Sequence, residues 1–210
     1  MNSVVVLISG RGSNLQALLD AGLPVAAVIS NVPGAGGLAI AAQRGVSTIV
    51  VAHKDFASRE AFDDALAREI DRFSPRLVAL AGFMRVLTPG FVRRYRDRML
   101  NIHPSLLPAF PGLNTHERAL AEGVKAHGCT VHFVTTELDH GPIVAQAVVP
   151  VRGGDTAASL AERVLKLEHV LYPRAIRWYL DGKLVIENGV VRVKEEGPGN
   201  HAQTLFLDNA

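Results

Sequence analysis

The sequence lacks most of what would place a chain in a membrane or an oxidising compartment. It holds one cysteine, Cys129, which cannot close an intrachain disulfide, and that thiol reads as an inert buried group. No charged segment leads into a signal-like apolar stretch. The run Val4-Val5-Val6-Leu7-Ile8 is far shorter than the roughly 18 apolar residues of a membrane span. These absences point to a cytoplasmic protein. Charge of one sign is also scarce: 22 Lys and Arg oppose 20 Asp and Glu, leaving a net charge of +2. The arginines at 93, 94 and 96 read as a solvated helix face, so no nucleic-acid partner is expected. There is no His-Glu-x-x-His, Cys-x-x-Cys or carboxylate cluster, and no metal is expected.

What is present is a chain of 210 residues, 48% apolar, long enough to bury a core without staples. Its first 80 positions alternate strand and helix. Val4–Ile8 is β-branched and apolar on both faces, as in a buried parallel strand. Ser13 and Gln16 read as a capping box opening a helix that Gly22 ends. Val25–Ser30 is a second strand, Gly34–Gly37 a flexible loop and Leu38–Arg44 a short helix. Thr48–Val51 is a third strand. Ser58 caps a helix with Phe62, Leu66, Ile70 and Phe73 on one stripe, stopped by Pro75. Leu77–Ala81 is a fourth strand. The pattern predicts an α/β fold, a mostly parallel twisted sheet with helices on both faces and a Rossmann-like N-terminal half.

The remainder is less regular. Met99–His103 is a fifth strand, Pro104–Asn114 an irregular loop and Thr115–Glu122 a short helix. Cys129–Val134 and Ile143–Val149 form a hairpin. Asp155 caps a long helix bearing Leu160, Val164, Leu167 and Leu171, which Pro173 should kink. Asn188-Gly189 between Lys183–Glu187 and Val190–Val193 is a strong two-residue hairpin signal. A break between halves is expected near Gly82–Gly90, and 195–210 reads as a weakly ordered tail.

Three segments carry candidate chemistry. The strand–loop–helix with Gly10 and Gly12 resembles a phosphate-binding turn, with Gly12, Ser13 and Asn14 as contacts; it is neither a Walker A loop nor a full G-x-G-x-x-G. A ligand-free tight turn explains it equally well. Asn101 and His103, two apart on a strand, leave the same face; they are either tied into loop backbone or a pair that donates to an oxygen gaining negative charge. Asp139, before His140-Gly141-Pro142, is either a turn residue or the carboxylate that holds a histidine protonated. His132 reads as a core histidine.

These segments, with Ala81-Gly82-Phe83-Met84-Arg85, Asn101–Pro108 and Glu168-His169-Val170-Leu171-Tyr172-Pro173, resemble the phosphoribosylglycinamide formyltransferase family over about residues 2–190. The resemblance implies a formyltransferase fold in one domain, 1–194, with a phosphate-binding half (1–81) and a catalytic and folate half (82–194). It implies that 10-formyltetrahydrofolate gives its formyl group to the amine of glycinamide ribonucleotide, in purine biosynthesis. Asn101, His103 and Asp139 would be catalytic. Gly12, Ser13 and Asn14 would hold the substrate phosphate, while Leu165, Lys166, Leu167 and Glu168 touch the rest of that substrate. Arg59, Met84, Arg85, Val86, Leu87 and Asn101 would border the folate, and the loop of Thr135, Thr136, Glu137, Leu138 and Asp139 would close over its pterin. A homodimer is one option the family offers.

Arg11, Ala109, Asn114 and His140 depart from the family's usual residues, at positions that bear on affinity and loop shape. A formyltetrahydrofolate deformylase shares the core but carries an extra N-terminal domain, and a methionyl-tRNA formyltransferase an extra C-terminal one. A non-catalytic nucleotide-binding module would explain Gly12–Asn14, but gives Asn101, His103 and Asp139 no common purpose.

Overall fold

A computed structural model describes residues 2–194 and 204–206. The chain forms two compact units, one of Met1–Asn101 with Val134–Thr136, the other of Ile102–Phe133 with Glu137–Ala210. The division follows Asn101, later in the chain than the expected break near 82–90.

In the first unit β1 (Val4–Ile8), β2 (Val25–Ser30), β3 (Ser47–Val50), β4 (Leu77–Leu80) and the start of β5 (Met99–His103) pair in the order β5-β4-β1-β2-β3. Every pairing is parallel. β1 is central and wholly buried, which explains its unbroken apolar run. Alternate residues serve opposite faces. Val5, Leu7, Ala27, Ile29, Val78 and Leu80 join one core with Phe62, Leu66 and Ile70 of α3 (Arg59–Asp71) and Phe91 and Val92 of α4 (Pro89–Arg94). Burying one such side chain contributes about 1.5–3 kcal/mol. On the other face Ile8 meets α2 (Gly36–Gln43), with Leu15 of α1 (Ser13–Asp20) alongside.

Three local expectations are corrected. Gly36 and Gly37 belong to α2 and not to a flexible loop, and glycine suits the second position, where a side chain would lie 2.5 Å from Ile8 Cδ1. Ser13 is not the cap of α1. Gly12 is, at φ 85, with no side-chain cap, and Gln16 donates to Asp20 at 2.8 Å instead. Helix α4 lies within the expected break: Thr88 caps it and Pro89 stands in its first turn, a legible signal that sequence reasoning passed over. Ser58 caps α3 as expected, accepting from the Ala61 N–H at 3.1 Å.

In the second unit β6 (Ala126–Phe133) and β7 (Ile143–Pro150) are antiparallel. Against them packs α6 (Ala157–Leu180), with Leu160, Val164, Leu167 and Leu171 buried as one stripe. Its cap is Thr156, in a capping box with Ser159; Asp155 instead accepts from Arg163 and from the Arg152 N–H. The helix runs on through Pro173. A short helix α5 (Thr115–Ala121) follows the 104–114 loop. Strands β8 (Leu184–Glu187) and β9 (Val190–Val193) form the expected hairpin, with Asn188 and Gly189 both at positive φ, as a type I′ turn requires. The expected weakly ordered tail lies outside the described residues except for β10 (Thr204–Phe206), which pairs parallel with β7.

Candidate active site

The first unit holds a cleft of about 460 Å³ lined by Ser9–Asn14, Asn31, Val32, His53, Ala81, Gly82 and Met84. It opens at the carboxyl ends of β1, β2 and β4, where the strand order reverses, the usual ligand position in an open parallel sheet. Gly12 is forced: a side chain there would stand 2.5 Å from the Gly37 Cα. The chain therefore turns tightly into α1, and the uncapped first turn directs N–H groups outward, suited to an anion.

Asn31 and His53 are residues that sequence reasoning missed. Ser9 Oγ donates to Asn31 Oδ1 at 2.6 Å and accepts from the Met84 N–H at 2.8 Å. His53 Nδ1 lies 3.0 Å from the Asn31 carbonyl and 3.2 Å from Asn31 Nδ2. Their signal was position, just past the ends of β2 and β3. The charged or titratable side chains lining the cleft are Arg11 and His53, with no carboxylate among them, so its electrostatics also favour an anion.

The second unit holds His103, His132 and Asp139. His103 ends β5 and is 6% exposed. Its Nε2 lies 3.0 Å from the Phe110 carbonyl, and its Nδ1 3.5 Å from Asp139 Oδ2. Asp139 accepts the Gly112 N–H at 2.8 Å. Its φ of 53° is a left-handed conformation costing of order 1–3 kcal/mol. The carboxylate is thus held by the 104–114 loop as well as by its own turn. His132 Nε2 lies 3.8 Å from Asp139 Oδ1, and its Nδ1–H donates to the Phe133 carbonyl at 2.9 Å. Burial pulls the His132 pKa down, against the Phe133 bond and the Asp139 charge, with His103 adding to the fall. His132 is therefore a buried neutral ring in the wall of the site. Asp139 also lines a cleft of about 610 Å³ with His140–Ile143 and Gly189–Val191.

The other predicted residues fall as follows. Asn101 is half-buried in β5. Arg59 is exposed at the first position of α3. Met84 is 70% and Val86 53% exposed; Leu87 packs on the core, and the Arg85 guanidinium lies 4.8 Å over the Phe62 ring. Thr135 is half-buried and Thr136, Glu137 and Leu138 are exposed. On α6, Leu165 is half-buried and Lys166 exposed, while Leu167 and Glu168 are buried. Glu168 is thus no solvated helix charge. Cys129 is buried, and its thiol pKa is pushed up by that burial, with the Glu168 charge adding to it. Among the described residues no group of three or more His, Cys, Asp or Glu could hold a metal ion, and no helix is long and apolar enough to cross a membrane.

Residues 2–176 match the family model described as formyl transferase. The Escherichia coli (strain K12) phosphoribosylglycinamide formyltransferase is 52% identical over 188 residues, covering 87% of this chain and 89% of that protein. The human trifunctional purine biosynthetic protein adenosine-3 is 47% identical over 201 residues, 92% of this chain but 20% of that protein. The crystal structure of glycinamide ribonucleotide transformylase 1 from Symbiobacterium toebii superposes with a TM-score of 0.90 at 48% identity, covering 92% of this chain and 94% of that one. The chain therefore belongs to the formyl transferase family, among its phosphoribosylglycinamide formyltransferases.

Proposed function

We propose that this protein transfers the formyl group of 10-formyltetrahydrofolate to the amine of N1-(5-phospho-D-ribosyl)glycinamide, in purine biosynthesis. The observation that carries the reading is the 3.5 Å approach of His103 Nδ1 to Asp139, two buried groups far apart in sequence, with Asn101 two places before His103 on β5. Alternate strand residues leave one face, so Asn101 and His103 are suited to a common oxygen.

The substrate amine attacks the formyl carbon. The new C–N bond forms as the carbonyl oxygen takes up negative charge, and the intermediate then collapses by breaking the bond to the folate nitrogen. His103 Nε2–H is anchored on Phe110, which leaves Nδ1–H, loosely held by Asp139, for the oxyanion. The Asn101 amide is the second donor. Donors of this kind are worth roughly 2.7–4 kcal/mol each. Asp139 takes the proton released by the amine and returns it to the departing folate nitrogen. Gly12, Ser13 and Asn14 hold the phosphate, with Arg11 supplying positive charge. Leu165–Glu168 contact the rest of the ribonucleotide, Glu168 near the ribose. Arg59, Met84–Leu87 and Thr135–Asp139 border the folate. The same reading holds that the chain acts in the cytoplasm on small molecules, and it leaves a homodimer open.

An absorbance assay with glycinamide ribonucleotide and a 10-formyl folate analogue tests this. Folate product should appear only with both substrates present. Release without the ribonucleotide would establish a deformylase, and no turnover at all a binding module.

A further inference from the structure

The loop that follows His103 has no regular secondary structure between Pro104 and Asn114, yet it must return the Phe110 carbonyl to His103 Nε2 at 3.0 Å. The geometry points to Thr130 on β6, backed by Gln146 on β7, as the positioning residues that set His103 for the formyl transfer proposed above. The inference rests on that reading.

Thr130 is fully buried. Its hydroxyl donates to the Ser105 carbonyl at 2.7 Å and accepts from the Leu107 N–H at 3.0 Å. It also accepts from Gln146 Nε2 at 3.0 Å. One hydroxyl offers one donor and two lone pairs, so this one is saturated. The second Gln146 amide hydrogen goes to the Leu107 carbonyl at 2.8 Å. From there the loop ties itself back: Ser105 Oγ donates to the Ala109 carbonyl at 2.7 Å, and the Ser105 N–H to the His103 carbonyl at 2.9 Å. Gly128, two places before Thr130 on β6, lets Leu106 lie close, since a side chain there would stand 2.9 Å from Leu106 Cδ2 and 1.9 Å from the Ala147 carbonyl oxygen. The pair of strands thus pins the loop at Ser105 and Leu107, and the pinned loop aims the Phe110 carbonyl. That carbonyl fixes which ring nitrogen of His103 is left to face Asp139. Thr130 touches neither reacting atom; it acts through the loop.

The test is Thr130→Val, which keeps the branched shape and strand preference but removes the hydroxyl. Misplacing a catalytic group by an ångström costs on the order of 100-fold, so kcat should fall about 10- to 100-fold while KM for the ribonucleotide changes little. Thr130→Ser should restore most of kcat. The ¹⁵N resonances of the His103 ring, assigned with His103→Gln, should shift in Thr130→Val and return in Thr130→Ser. Gln146→Met should act in the same direction with a smaller loss, and serves if Thr130→Val does not fold. A lower melting temperature with kcat and the His103 resonances unchanged would make both residues structural only and overturn the inference. The ring resonances are read without substrate, so this failure is distinct from failure of the wild-type protein to transfer formyl groups.

Discussion

Substituting Gly12 by alanine isolates the physical reason for the shape of the cleft at the start of α1. Gly12 sits at φ 85, and its added Cβ would stand 2.5 Å from the Gly37 Cα and 3.1 Å from the Gly37 nitrogen. Both opposing atoms are backbone, so no side chain can swing aside. Placing a non-glycine residue in the left-handed region costs about 1–2 kcal/mol, and overpacking a fitted contact about 1–3 kcal/mol. Their sum, roughly 2–5 kcal/mol, should lower Tm by roughly 4–20 °C in a chain of this size. Relief by pushing α1 from α2 would also misalign the N–H groups of the first turn, so KM for the ribonucleotide should rise more than kcat falls. Gly10 is the internal control: it lines the same cleft, but a side chain there meets nothing within 4 Å. Gly10→Ala should change stability by no more than about 0.5 kcal/mol. Calorimetry and steady-state kinetics on both variants decide the matter. Equal Tm losses for the two, or a neutral Gly12→Ala, would refute the steric account.

Asp139→Asn keeps an acceptor for the Gly112 N–H but removes the charge, so kcat should fall by about 10²–10⁴-fold with KM little changed; normal turnover in that variant excludes Asp139 from the mechanism. Asn101→Ala and His103→Ala act on one developing charge, so the double variant should be hardly slower than the worse single one, and fully multiplicative losses in kcat would contradict a shared oxyanion. Burial, with the His116 charge adding, holds His127 down at about 4 from an ordinary 6.5. The unfolded chain then binds the extra proton first, so stability is full above about 6.5 and is lost as pH falls toward 4. His116, His132 and His169 are lowered in the same direction. Melting temperatures across this window should drop with acid and drop less steeply in His127→Gln; an identical slope in the variant would remove His127 as a contributor.

Periodicity and turn chemistry determined much of this protein. The β-branched run of β1, the single stripe of α3, the amphipathic length of α6 and the Asn188-Gly189 turn are local facts, because a buried parallel strand, a half-buried helix and a type I′ turn each leave their own pattern. Asn101, His103 and Asp139 were legible as candidates from their residue types, and through the family resemblance as a set. The tertiary structure alone decided what depends on atoms distant in sequence. Ser13 looked like a helix cap, but the close passage of Gly12 over Gly37 moved the start of α1. Gly34–Gly37 looked like loose linker, but Gly36 and Gly37 open α2, with Gly37 packed close against Ile8 and Gly12. The burial of Glu168 follows from α6 lying on β6 and β7. No local pattern marks Thr130 or Gln146, because a saturated hydroxyl is defined by its partners, and those come from a loop and a strand that only folding brings together.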